Sequence, residues 1–155
     1  MKEYHIYWIK DEFADHYYYK CDLLYRFIQA YQENNVRIDL ALQFNYITSN
    51  FPMDLLNAII YKLKKSPSIR IIKAGNNQLD LRSEKSYLKF YINKERLILQ
   101  CDSLQDAEKI LFPSLRGVYP YLFVINPHYN EYGWISPGIN KFSIVEEKEI
   151  LYSYR

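Results

Sequence analysis

The segment from Ser68 to Cys101, SIRIIKAGNNQLDLRSEKSYLKFYINKERLILQC, constrains the fold more than any other stretch of the chain. Runs of apolar or alternating residues, rich in Ile, Leu, Tyr and Phe, are divided by AGNN, RSEK and NK. These dividers supply the Gly, Asn and charged residues that end strands and form short turns. Strands joined by turns this short pair as hairpins. The spacing predicts a three- or four-stranded antiparallel meander.

Around this meander the periodicity changes. Tyr4 to Ile9, YHIYWI, is aromatic and β-branched and reads as a first strand. From Asp11 to about Gln32 there is no Gly or Pro. Ala14, Tyr17, Tyr18, Cys21, Leu24, Tyr25, Ile28 and Tyr31 recur there at threes and fours, the period of one long amphipathic helix. Asp11, Glu12 and Asp15 suit the positive end of its dipole. The next run, IDLALQFNYIT, reads as a strand within Leu42 to Thr48, with a helix as the rival reading. Residues 51–66 predict a helix with Pro52 in its first turn, Leu55, Leu56, Ile59, Ile60 and Leu63 as its buried stripe, and late lysines. A third helix follows Asp102 or Ser103 as cap, with Pro113 ending or kinking it. YLFVIN and YGWI supply the last strands. Hairpin-joined strands with interspersed helices define an α+β domain, with one mixed or mostly antiparallel sheet covered by about three helices. Residues 1–137 form this domain, and 138–155 are a C-terminal extension that ends as a docked element or a frayed tail.

Composition narrows the function. Among 155 residues there are 17 tyrosines and 8 phenylalanines, an aromatic share of 17%. Tyrosine joins a large apolar body to a polar tip, which suits cores and partner-binding patches alike. A net charge of +2 is too small to argue electrostatically for a nucleic-acid or membrane partner, so no direct nucleic-acid contact is expected. Cys21 and Cys101 stand far apart without a CxxC motif, and no signal-peptide pattern opens the chain. Both thiols are expected to be reduced and buried in a cytoplasmic protein. No apolar run is long enough to span a bilayer.

Catalytic signatures are lacking. Gly75, Gly117, Gly133 and Gly138 are too scattered to cradle a phosphate. His5, His16 and His128 lie far apart, and no spacing puts two metal ligands on one helical face. Cys21 and Cys101 both fall at core positions, where a thiol is a small hydrophobe without an activating base. Asp11, Glu12 and Asp15 already have an electrostatic role at a helix start. The chain is therefore read as a non-enzyme, with no cofactor, no metal and no small-molecule substrate.

Two aromatic features remain. YLKFYI at residues 87–92 could present rings to the bases of a single-stranded nucleic acid. An alternating strand with every second ring in a core gives the same letters, and no GFGFV-type pattern accompanies it. In the long helix, apolar positions from Tyr18 round to Phe27 sweep roughly 180° at about 100° per residue. That is wider than one sheet contact needs. Phe13 lies at the edge of this arc, one turn before Tyr17, so its ring is either covered by a loop or offered to a partner. Tyr18 is expected inside and Tyr19 outside.

YWIKDEFADHYYYK near the start, QFNYIT in the middle and YGWISP near the end together resemble the SirA family, the sporulation inhibitors of replication of Gram-positive bacteria. The likeness runs over residues 4–137. It implies a stoichiometric inhibitor that binds domain I of the replication initiator DnaA, by competition with other initiation factors or by blocked assembly. It further implies that Phe13 and Tyr17 make the contact together with Gln43 and Tyr46, and that Pro137 lies in an important patch. The chain departs from the family pattern in the extra aromatics of HYYYKCD and in eighteen residues beyond YGWISP.

Overall fold

Eight strands and six helical segments make up the computed structural model over the residues it describes, 1–34 and 36–135. The meander has four strands: β3 (Arg70–Ala74), β4 (Gln78–Ser83), β5 (Ser86–Ile92) and β6 (Leu97–Cys101). Successive members pair antiparallel, as the short turns require. The tightest turn lies between Ser83 and Ser86, which face each other. Its first residue, Glu84, takes a φ of 50°, in the left-handed region that glycine occupies at less cost.

The remaining strands extend the meander. β1 (Lys2–Ile9) lies between β6 and β7 (Leu122–Asn126), and β8 (Glu131–Trp134) follows β7, giving the order β3-β4-β5-β6-β1-β7-β8. The two-residue β2 (Thr48–Ser49) pairs with the end of β1, Ile9 opposite Thr48. Every pairing is antiparallel. The architecture is α+β, as the order of elements predicted.

Helices cover the two faces unequally. On one face α4 (Leu55–Leu63), α5 (Leu104–Ile110) and α6 (Phe112–Arg116) bury Leu55, Leu56, Ile59, Leu63, Leu104, Ile110 and Leu115 against Leu79, Leu81, Leu88, Phe90, Leu97 and Leu99. The Ser103 hydroxyl oxygen accepts from the Asp106 N–H at 3.3 Å and caps α5. Pro113 lies in the first turn of α6, after a break at Leu111, so the predicted third helix is two short ones. Pro52 sits ahead of α4 rather than inside its first turn. Its carbonyl accepts from Leu55 N–H, and the helix starts there. On the other face α1 (Asp11–Tyr17), α2 (Cys21–Glu33) and α3 (Ile38–Ile47) enclose Tyr7, Ile9, Phe123, Ile125, Tyr132 and Trp134, all from β1, β7 and β8.

Two expectations are corrected on this second face. The single helix from Asp11 to Gln32 is two helices broken at residues 18–20, with no Gly or Pro at the break. Termination exposes the Tyr18 carbonyl, and the buried Trp134 indole N–H donates to it at 3.1 Å. The Trp134 and Tyr18 rings stack, with centroids 5.7 Å apart. A tertiary hydrogen bond thus replaces an intrahelical one, and the 180° arc computed for a continuous helix does not exist. The predicted strand within Leu42 to Thr48 is instead α3, the rival reading. Phe44 and Ile47 drop from it into the core, where Phe44 stacks on Tyr31 at 4.1 Å and meets the edge of Tyr7 at 5.6 Å.

A polar cluster ties α2 to the sheet. His5 is buried with Nε2 2.8 Å from Glu3 Oε2, while Gln32 donates to its Nδ1 at 3.2 Å and to the Tyr7 hydroxyl. Tyr31 donates to Glu95 at 2.7 Å. Burial holds His5 below its ordinary pKa and, with Glu95 adjacent, lifts Tyr31 to about 12.

Candidate partner-binding surface

Three backbone connections set the surface by joining the start of α1 to the end of α3. Trp8 pairs with Ser49, Ile9 with Thr48, and Lys10 N–H donates to the Ile47 carbonyl at 2.9 Å. Residues more than thirty positions apart in sequence are thereby brought side by side. Phe13, in the first turns of α1, meets Tyr46, in the last turn of α3, with ring centroids 5.1 Å apart in an edge arrangement. Lys10 Nζ lies 5.7 Å from the centre of the Tyr46 ring.

Each residue has a distinct share of burial. Phe13 and Tyr17, one turn apart, are half-buried and rest their inner edges on the core below. Tyr17 also takes the His16 ring edge-on at 4.8 Å. Gln43 and Tyr46, three apart on α3, are exposed. The structure therefore brings Phe13 against Tyr46, with Tyr17 one turn on from Phe13 in α1 and Gln43 one turn before Tyr46 in α3. Pro137 and the extension 138–155 lie outside the described residues. Tyr18 and Tyr19 divide as predicted, 3% and 64% exposed.

The sequence reading missed the rest of α3. Ile38, Leu42 and Tyr46 recur every four residues and are 75%, 66% and 65% exposed, so an apolar stripe runs the length of the helix on the side away from Phe44 and Ile47. A helix apolar on two opposite sides buries one and leaves the other for a partner. Once IDLALQFNYI is taken as helical, this doubled periodicity is visible in it. Read as a strand, it conceals the stripe.

Charge frames the apolar centre. Asp11, Glu12 and Asp15 ring the Phe13 end, and Asp15 receives a hydrogen bond from the Tyr121 hydroxyl at 3.4 Å. At the other end Arg37 donates to both oxygens of Asp39, at 3.2 and 2.6 Å, and holds its carboxyl below the usual range. An aromatic and aliphatic centre within a charged rim is the anatomy of a protein–protein interface.

The other candidates sort differently. Cys21 and Cys101 are both buried, and burial pushes the Cys101 thiol up to about 12, away from reactivity. His16 is exposed beside Tyr17, and the backbone N–H of His128 donates to Asn126 Oδ1 at 2.9 Å. In YLKFYI, Leu88, Phe90 and Ile92 enter the core while Tyr87, Lys89 and Tyr91 face the opposite side. No described helix is long and apolar enough to cross a membrane.

The family model for "Sporulation inhibitor of replication protein SirA" matches residues 2–138. The sporulation inhibitor of replication protein SirA of Bacillus subtilis (strain 168) is 25% identical over 146 residues, covering 88% of this chain and 94% of its own.

Proposed function

The chain belongs to the SirA family, and from that premise we propose that it inhibits the initiation of DNA replication by binding domain I of the initiator DnaA. The contact is made by Phe13, Tyr17, Gln43 and Tyr46 and continues along α3 through Leu42 and Ile38. One observation carries this reading: the Phe13 and Tyr46 rings, contributed by separate helices, meet beside an exposed apolar stripe. Desolvated aromatic anchors of this kind supply most of the energy of a protein interface, while the rim supplies register and orientation. Inhibition is stoichiometric, since occupation of domain I by this surface is itself the effect.

Titration calorimetry against purified DnaA domain I tests the proposal. Tyr46→Ala is the sharpest variant, because an exposed ring can be removed without opening a cavity. It is expected to weaken binding about 30-fold, equivalent to about 2 kcal/mol. Phe13→Ala and Tyr17→Ala are expected to lose at least as much. Wild-type affinity in all three folded variants would overturn the assignment of the surface.

A further inference from the structure

Among the described residues, the side of the sheet that carries α1–α3 is only half covered, and its open half has a composition of its own. Paired residues in an antiparallel sheet share a face, so the register identifies the members. Arg70 faces Arg82, which faces Tyr87. Lys73 faces Asp80, which faces Lys89, which faces Gln100. Gln78 faces Tyr91, which faces Ile98. Their alternates, Leu79, Leu81, Leu88, Phe90, Leu97 and Leu99, fill the core beneath α4–α6. The strand residues enclosed by α1–α3 come from β1, β7 and β8 alone.

Charge on this open face is unbalanced although the chain as a whole carries only +2. In the paired rows of β3, β4 and β5 the face holds Arg70, Lys73, Arg82 and Lys89, with Asp80 as the carboxylate among them. Arg70 and Arg82 stand directly opposite each other, an unfavourable cross-strand pair that an anion would relieve. Among the described residues no ion pair engages Arg70, Lys73, Arg82 or Lys89. Three carboxylates on or beside this face accept hydrogen bonds from other groups, though each keeps its charge. Asp80 is buried and accepts from Gln78 and Tyr87, each at 3.1 Å. Glu3 is held by His5 and Gln100, and Glu95 by Tyr31 with Arg96 3.8 Å away.

Two rings stand among these cations. Tyr87 and Tyr91 are both half-exposed on β5, about 13 Å apart at the strand repeat, with Lys89 between them. The Arg82 guanidinium lies 5.3 Å from the Tyr87 ring centre, and the hydroxyl bond to Asp80 fixes that ring's position. We propose that this β3–β6 face, which no described helix covers, is a second binding surface, for single-stranded nucleic acid, on which Tyr87 and Tyr91 stack bases while Arg70, Lys73, Arg82 and Lys89 take phosphates. Aromatic rings interleaved with cations on a flat sheet suit unpaired bases, whose faces are available for stacking. A duplex hides those faces and would use only the charge.

Fluorescence anisotropy of labelled (dT)20 with the full chain tests this. Three to four phosphate contacts predict a loss of affinity of about 20- to 50-fold between 50 and 200 mM salt. Tyr87→Ala with Tyr91→Ala is expected to weaken binding at least tenfold at constant salt slope. Tyr87→Phe with Tyr91→Phe restores most of it and serves as the folded control. Arg82→Ala with Lys89→Ala is expected to lower the salt slope by about 1.4. Tyr46→Ala should leave (dT)20 binding unchanged, which separates this surface from the one proposed for DnaA. Failure of the folded wild type to bind (dT)20 at 50 mM salt would overturn the proposal. So would equal affinity for duplex, or full binding by the double alanine variant.

Discussion

Tyr91 and Tyr132 stand in one row on one side of the sheet, and they meet opposite surroundings. The row runs Gln78, Tyr91, Ile98, His5, Ile125, Tyr132 across six strands. Tyr132 is buried, its ring stacked 4.5 Å from that of Tyr25 in α2, whereas Tyr91 is half-exposed with no described helix above it. The residue type is the same, and so is its place in an alternating strand. The difference is where helices are tethered. α1, α2 and α3 leave from the end of β1 and return to it through β2, so they lie over β1 and its neighbours β7 and β8. The strands β3 to β6 are joined by hairpin turns, and the helices that flank them, α4 and α5, pack on the opposite face. Burial in this molecule follows the anchorage of connections more closely than residue type.

Substitutions can break this contrast, beginning with the largest effect. Trp134→Ala, in the covered half, removes a fully buried ring and the hydrogen bond to the Tyr18 carbonyl. It is expected to cost about 3–5 kcal/mol in urea denaturation, and to loosen α1 enough to abolish binding through Phe13. On the outer side of the covering helices, Leu42→Asp should leave stability within about 0.5 kcal/mol of wild type while weakening DnaA domain I binding at least tenfold by calorimetry. A matching loss of stability would mean that α3 buries this side in the fold itself.

In the open half, Tyr91→Ala is expected to shift stability by less than about 1 kcal/mol, because a half-exposed ring has little burial to lose. A loss near that of Trp134→Ala would show that something covers the face. The smallest effect concerns His5, where the covered half begins. Burial depresses its folded-state pKa below the ordinary 6.5, against the opposing pull of Glu3 and with Arg96 and His128 acting in the same sense as burial. The unfolded chain therefore takes up the proton more readily. Stability is fully present above pH 6.5 and falls as pH drops through that value toward the folded-state pKa. Glu3, whose carboxyl is lowered mainly by the bond from His5, loses its own contribution only below about 4.5. Urea midpoints from pH 7.5 to 5 should decline for the wild type and flatten between 7 and 5.5 for His5→Gln.

Much of the fold was legible because it rests on local signals. The four strands of the meander follow from alternation and turn residues, the α5 cap from Ser103 and Asp106, and the split at Pro113 from proline's missing donor. The break after Tyr17 carries no such mark. HYYYKCD has a helical period throughout, and the carbonyl at its interruption accepts from an indole contributed from 116 residues away. α3 was ambiguous because β-branched and aromatic residues fit a half-buried strand as well as a helix resting on a sheet. That ambiguity hid Ile38 and Leu42 from the candidate surface, for which the family resemblance named Phe13, Tyr17, Gln43 and Tyr46. Net charge is silent on distribution, since +2 over the whole chain does not show that Arg70, Lys73, Arg82 and Lys89 stand on one half of one face.

The sequence by itself determined the hairpins, most helical segments, the inward direction of Tyr18 and the α+β class, because each depends on neighbours a few residues away. Tertiary structure alone decided that Phe13 meets Tyr46, that Trp134 bonds the Tyr18 carbonyl where α1 ends, and that Tyr87, Lys89 and Tyr91 lie under no described helix. These depend on strand register and on where connections are anchored. Both join residues tens of positions apart, and an alternating pattern of rings is the same string of letters whether a helix passes over it or not.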